Sequence, residues 1–139
     1  MKSKWTPLAA ALALLLLAGC GNSNSNICQV KGTLTYKGQP MPHVQLKFVP
    51  DDLTTKSTSL AMTDASGKFE MFIGGTPGVF RGKVKVYCDD PMAAMGSTSP
   101  VPKEAEAAYR ELCTKYGSGK STYELTIDKS QSNLELKLD

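Results

Sequence analysis

The sequence predicts a mostly β domain, a seven-stranded antiparallel sandwich with one inserted α-helix. From Cys28 onward, apolar and polar residues alternate with a period of two, which is typical of half-buried strands. Gly, Pro and Asp residues separate these runs at short intervals, as turns require. One stretch, 102–116, has helical spacing instead. The predicted sandwich domain covers 28–139, which is long enough for one hydrophobic core but not for two.

Five strands are predicted before the helix. The alternating runs are 30–37, 44–48, 58–63, 69–73 and 82–88. The first two are predicted to form a hairpin, because Gly38 and Pro40 lie between them. The third and fourth are predicted to form a second hairpin across Asp64 and Gly67, residue types that suit a tight turn.

The helix has recognisable ends in the sequence. Pro102 lies near its start, acidic residues occupy its early turns, and Gly117 follows its last residue. The residues predicted to face the sheets recur at spacings of three and four; they are Ala105, Ala108, Tyr109, Leu112 and Tyr116. Two further alternating runs, 123–127 and 134–138, complete the seven strands and place a core strand at the carboxyl end.

The amino-terminal segment has the layout of a secretory signal. Lys2 and Lys4 precede an apolar run at 8–18. This run has about 11 residues, whereas a bilayer-spanning helix needs roughly 20. A signal peptide over 1–19 is therefore favoured over a transmembrane anchor.

The Leu-Ala-Gly stretch that ends in Cys20 resembles the lipobox of bacterial lipoproteins. The resemblance implies cleavage before Cys20 and lipidation of its thiol, with fatty acids such as palmitate. Two or three acyl chains hold a protein stably on a membrane, whereas one holds it only marginally. Residues 20–27 predict a flexible tether, and Gly21 after the cysteine resembles lipoproteins sent to an outer membrane. The alternative is a plain secreted protein whose Cys20 forms a disulfide.

The charge balance excludes some classes of partner. The chain has 16 Lys and Arg residues against 13 Asp and Glu residues. Removal of Lys2 and Lys4 with the signal peptide leaves a net charge of about +1. Such a balance, without a long basic run, argues against nucleic acid or a strongly anionic membrane surface as the partner.

Three cysteines remain after lipidation, namely Cys28, Cys88 and Cys113. An exported chain meets an oxidising compartment, so we predict a disulfide between Cys88 and Cys113, which would fasten the intervening loop and helix. Three free thiols are the alternative. We expect no metal and no cofactor, because the sequence has no CxxC pair and His43 is its only histidine.

Two stretches resemble the carboxypeptidase regulatory-like domains. They are 32–44, with its Gly, Gly-Gln-Pro and Val, and the Thr-Asp-Ala-Ser-Gly-Lys-Phe of 63–69. A later stretch, 77–86, is similar to the family's Pro-Gly strand. The resemblance implies an immunoglobulin-like or transthyretin-like (prealbumin-like) sandwich, and these motifs carry no chemistry.

Several patterns that could carry chemistry are better explained by structure. The stretch 117–122 lacks the glycine that a phosphate loop needs at Thr114, and it follows a helix instead of preceding one. His43 has no neighbouring nucleophile, which favours a turn residue. The Asp residues are too sparse for a dedicated calcium loop and are interpreted as turn formers. Lys31 and Asn133 have positions similar to the lysine and asparagine that form an isopeptide bond in domains of the collagen-adhesin B type, but that chemistry requires a desolvated lysine and Lys31 alternates onto the polar face.

The sequence as a whole predicts a lipoprotein of the cell envelope, lipid-anchored to a membrane. Its domain is expected to be a non-catalytic module for binding or structural roles, in contact with an envelope protein or a glycan. One alternative is an accessory subunit of a larger envelope complex. The other is a hydrolase whose site has no recognised motif.

Overall fold

The computed structural model describes residues 26–139. The predicted signal peptide, Cys20 and most of the tether lie outside the described residues. Within 26–139, no helix combines the length and the hydropathy needed to cross a bilayer.

Short strands and one α-helix form the described part of the chain. The strands are β1 (Ile27–Cys28), β2 (Val30–Tyr36), β3 (Gln39–Pro40), β4 (Gln45–Pro50), β5 (Ser59–Met62), β6 (Lys68–Glu70), β7 (Phe72–Ile73), β8 (Thr76–Pro77), β9 (Val79–Phe80), β10 (Gly82–Asp89), β11 (Glu124–Ile127) and β12 (Gln131–Leu138). A 3₁₀ turn spans Ala93–Met95, and helix α1 spans Lys103–Tyr116. The mostly β fold with one α-helix is confirmed, but the prediction of seven strands is too low, because turns and bends divide the predicted runs into shorter pieces.

The strands form two facing layers and a small extra pair. The large sheet has the order β11-β10-β4-β5-β7-β8, and all of its pairs are antiparallel. In the small sheet, β2 pairs with β12 on one side and with β3 and β6 on the other. The β2–β12 pair is parallel, and β1 pairs separately with β9. The arrangement is sandwich-like, and the last strand is paired with the first long one.

The predicted hairpin between the first two long strands is wrong. Lys37 and Gly38 have φ angles of 49° and 81°, and this tight turn brings β3 back onto β2, with Tyr36 opposite Gln39. His43, with φ of 56°, then changes the direction of the chain again. As a result β4 enters the large sheet, where it pairs with β5 and β10 instead of β2.

The core lies between the two sheets and beneath the helix. Its fully buried large side chains come from both sheets and from α1, and they include Leu34, Tyr36, Leu46, Phe48, Met71, Leu112, Ile127, Leu136 and Leu138. Phe48 of the large sheet and Phe69 of the small sheet meet edge to face, with ring centroids 6.4 Å apart. Such contacts across the layers hold the sheets together mainly by burial of apolar surface.

Helix α1 packs on one flank of the sandwich through Tyr109 and Leu112, two members of the predicted face. At its carboxyl end, Tyr116 contacts Tyr36 and Tyr123 edge to face, at centroid distances of 6.3 and 6.5 Å. Gly117 follows in an extended conformation. Glycine is needed there because a Cβ atom would collide with the Cys113 carbonyl oxygen.

Candidate binding groove

A surface groove of about 1020 Å³ crosses from the small sheet to the large sheet. Strands β2, β6 and β12 contribute one side, and β4, β5 and β7 contribute the other. The groove exists because β6 and β7 are consecutive in the chain but belong to different sheets, on either side of Met71. Its position was not predicted from the sequence.

The large sheet supplies an apolar wall made of Leu60, Met62 and Phe72. Their exposed fractions are 44%, 49% and 37%. In β5, Ser59 and Ala61 point into the core, so the alternation of the strand directs Leu60 and Met62 outward. Leu60 is paired with Phe72 of β7, which places the two side chains next to each other on the outer face. Three large apolar side chains therefore form a continuous exposed surface.

The small sheet supplies a polar wall with mixed charges. Its charged and amide side chains are Lys31, Lys68, Glu70, Asn133 and Glu135. Lys31 Nζ lies 3.2 Å from Glu70 Oε1, across the β2–β6 pair. Because the two side chains are 51% and 34% exposed, the pair adds little to stability. The desolvated lysine that an isopeptide bond requires is not found at Lys31, which is ion-paired and half exposed.

Gly32 allows the floor of the groove to close. A Cβ atom at this position would overlap the carbonyl oxygen of Leu134, a backbone atom of the neighbouring strand, and would press on the Phe69 ring. The register of β12 against β2 shifts between Gln131 and Leu134. This irregularity places the exposed residues Ser132 and Asn133 at the groove rim.

A second, smaller cleft of about 140 Å³ lies beside helix α1 and contains a chain of hydrogen bonds. The Ser99 hydroxyl donates to Asp90 Oδ1 at 2.5 Å. The Tyr109 hydroxyl lies 3.1 Å from both the Ser99 Oγ and the His43 carbonyl oxygen. Burial raises the pKa of Tyr109 above its ordinary value. The phenol is thus held neutral, and it joins the helix to the 90–100 loop and to the turn at His43.

All three cysteines of the described region are free thiols. Cys28 and Cys88 are buried and Cys113 is half-buried. Burial raises the pKa of Cys88, and the nearby Cys113 raises it further. Burial likewise raises the pKa of Cys113 to about 12. Neither thiol is therefore activated as a nucleophile, and the disulfide between them stays a prediction.

The aspartates predicted to form turns accept hydrogen bonds from their own loops. Asp64 Oδ1 accepts from the N–H groups of Ser66 and Lys68, at 2.8 and 2.9 Å. Asp52 accepts from Thr54 and Thr55, and the hydroxyl groups of these threonines lower the pKa of Asp52 to about 2. Within 26–139, no group of three or more His, Cys, Asp or Glu residues is placed to hold a metal ion.

The loop at 117–122, which has part of a phosphate-loop pattern, is occupied by a carboxylate of the protein itself. Ser118 N–H donates to Asp89 Oδ1 at 2.8 Å, and the Ser118 hydroxyl donates to Asp89 Oδ2 at 2.5 Å. This amide group is therefore engaged within the domain.

Neither the comparison with protein-family models nor that with curated proteins gave a match. Among solved structures, the chain is similar to the crystal structure of a DUF3823 family protein from Parabacteroides merdae ATCC 43184, with 14% sequence identity and a TM-score of 0.46. The alignment covers 81% of this chain and 45% of that one. The chain thus spans less than half the length of the protein it resembles.

Proposed function

We propose that this chain is an exported lipoprotein, cleaved before Cys20 and held on an envelope membrane by lipid on that cysteine. Its sandwich domain is a non-catalytic binding module, and the groove is its contact surface. The proposal also includes the immunoglobulin-like or transthyretin-like type of sandwich. The Asp64 turn supports that type, because Asp64 accepts two hydrogen bonds from its own turn and Gly67 has a φ of 77°, which account for the Asp and the Gly of the Thr-Asp-Ala-Ser-Gly-Lys-Phe motif.

The apolar wall is the observation that carries the binding role. Leu60, Met62 and Phe72 are adjacent on one sheet face and remain between 37% and 49% exposed. Single exposed apolar residues are ordinary, whereas adjacent ones surrounded by polar groups favour a binding surface. The charged residues of the polar wall form such a rim.

The lipid anchor rests on the residues before the domain. The apolar run at 8–18 is too short to span a bilayer and ends in the Leu-Ala-Gly-Cys20 stretch. Only six residues, 21–26, separate Cys20 from Ile27. The lipid would therefore keep the groove close to the membrane.

The decisive experiment is mass spectrometry of the mature protein purified from membranes. We expect an amino-terminal Cys20 that carries diacylglycerol, with or without a third acyl chain. A Cys20→Ala variant should lose the acyl mass and should no longer partition into a detergent phase. A mature chain that starts elsewhere, or a Cys20 without lipid, would contradict the proposal. A partner that copurifies stoichiometrically after detergent extraction would favour the accessory subunit instead.

A further inference from the structure

The point where the chain enters the domain lies beside the apolar wall. Ile27 packs so closely on Gly78 that a Cβ atom at position 78 would collide with it. Gly78 N–H donates to the Met71 carbonyl oxygen at 2.8 Å. The next residue, Phe72, is paired with Leu60. Since neighbouring strands are about 4.8 Å apart, the apolar wall begins within roughly 10 to 15 Å of Ile27.

We propose that the apolar wall docks on the lipid bilayer that anchors the chain. This inference rests on the proposed lipid at Cys20 and names the partner of the same groove. The six residues 21–26 that connect Cys20 to Ile27 limit the distance between the lipid and Ile27 to at most about 25 Å. The anchor therefore brings Leu60, Met62 and Phe72 to the interface without a large search, because tethering raises their effective concentration at the surface.

The chemistry of the groove fits a bilayer interface of low net charge. Leu, Met and Phe side chains partition into the region between headgroups and acyl chains. On the polar wall, Lys31 is neutralised by Glu70, and the other charges of that wall also have both signs. A strongly anionic surface would not be favoured by such a rim, whereas zwitterionic headgroups match it.

Two cationic residues lie beside the point where the chain enters the domain. The Arg81 N–H donates to the Asn26 carbonyl oxygen at 2.7 Å, so Arg81 adjoins the incoming chain. Lys56 Nζ donates to the Arg81 carbonyl oxygen at 2.9 Å. Lipid phosphate groups close to the proposed anchor would meet this part of the surface first.

The chain offers a clean spectroscopic test. Its only tryptophan is Trp5, which belongs to the predicted signal peptide. The mature Phe72→Trp variant would thus carry a single tryptophan on the apolar wall. The matched control is Glu111→Trp on helix α1, whose side chain is 51% exposed and pairs with Lys37, just beyond the end of β2. Strand β2 begins beside Met71, the neighbour of Phe72, and its seven residues span roughly 23 Å.

Both full-length lipoproteins are reconstituted into phosphatidylcholine vesicles in which part of the lipid carries brominated acyl chains. We expect bromine to quench the Phe72→Trp fluorescence at least threefold more than that of Glu111→Trp. Adding Leu60→Lys and Met62→Lys to Phe72→Trp should reduce quenching to the control level, with the thermal melt unchanged. Leu60→Trp serves as a second reporter if Phe72→Trp alters the melt.

Each outcome discriminates. Equal, weak quenching of both tryptophans in protein that carries the Cys20 lipid by intact mass overturns the docking and leaves the anchor in place. An intact mass without lipid overturns the anchor and the docking together. Shielding of the tryptophan of Phe72→Trp in native membranes but not in lipid vesicles overturns the bilayer as the occupant and assigns the wall to a protein.

Discussion

Asp89, the last residue of β10, accepts hydrogen bonds from both the N–H and the hydroxyl of Ser118, at 2.8 and 2.5 Å. Lys47 Nζ of the neighbouring strand lies 2.9 Å from the same carboxylate. Helix α1 ends at Tyr116, so these contacts fasten the end of the helix to the large sheet.

The Asp89 contacts predict a specific dependence on pH. Partial burial alone would raise the pKa of Asp89, but the hydrogen bonds from Ser118 and the charge of Lys47 outweigh it and lower the pKa. A lowered pKa in the folded state means that the stabilisation is present above the pKa of an unfolded aspartate, about 3.9. It is lost as the pH falls through the folded-state pKa.

We expect Asp89→Asn to lower the free energy of unfolding by about 1–2 kcal/mol at pH 7. In this variant the free energy of unfolding should also decrease less as the pH falls to about 3. Urea titrations at pH 7 and at about pH 3 measure both effects. Asp51→Asn, in an exposed loop, is the control and should change stability by less than about 0.5 kcal/mol. An Asp89→Asn variant that loses stability equally at both pH values would contradict the assignment.

Loss of the Thr63 hydroxyl group is expected to lower the free energy of unfolding. This buried side chain accepts from the Val44 N–H at 2.9 Å and donates to the Met41 carbonyl oxygen at 2.7 Å. Thr63→Val keeps the shape but leaves both backbone groups unpaired, which should cost about 2–4 kcal/mol.

Thr63→Ser is the matched control, because it keeps the hydroxyl and loses one methyl group, at about 1 kcal/mol. Denaturant unfolding of the two variants provides the comparison. A Val variant as stable as the Ser variant would rule out the hydrogen-bonding role.

A side chain at Gly32 is expected to destabilise the fold, because β2 and β12 come close together there. Gly32→Ala would push a methyl group into the Leu134 carbonyl oxygen, and we expect a loss of at least about 2 kcal/mol. Gly38→Ala is the control, since its surroundings are open and only its φ of 81° opposes a side chain. That strain is worth roughly 1–2 kcal/mol. Equal thermal shifts in the two variants would mean that the approach of β12 is not the constraint.

The thiols of Cys88 and Cys113 are expected to react slowly with alkylating agents while the protein is folded and reduced. Because burial raises the pKa values of Cys88 and Cys113, alkylation near pH 8 should be slow until the protein unfolds. In protein taken from an oxidising compartment, we expect an intact mass lower by two hydrogens and a crosslinked peptide that joins Cys88 to Cys113. Peptide mapping without reduction tests this. Three alkylated thiols, or a crosslink through Cys28, would exclude the predicted pair.

The buried side chains of the strands and of the helix could be predicted, because the local spacing of apolar residues determines which side chains face the core. Val84, Val86 and Cys88 are buried as their spacing indicates, and so are Leu136 and Leu138 near the carboxyl end. The pairing of strands could not be predicted in the same way. The prediction of a β2–β4 hairpin is wrong because His43 adopts a positive φ angle, and a histidine in the sequence does not indicate such a conformation.

The groove was missed for a related reason. In β5 the inward positions hold Ser59 and Ala61, so the weak alternation of this run concealed the fact that its large apolar residues point outward. A strand with small residues inside and Leu60 and Met62 outside is the signal that could have been used. The polar wall could not be found this way, because long-range strand pairing alone brings its members, such as Lys31 and Glu135, together.

The parallel pairing of β2 with β12 affects when the chain can fold during its synthesis. Strand β2 needs a partner that is synthesised about 100 residues later, through contacts such as Leu34 with Leu136. Such high contact order slows folding. The small sheet cannot form until β12 has been synthesised, so a nascent chain without β12 stays open. In the proposed lipoprotein, which would cross a membrane before it folds, this delay would keep the chain unfolded during export.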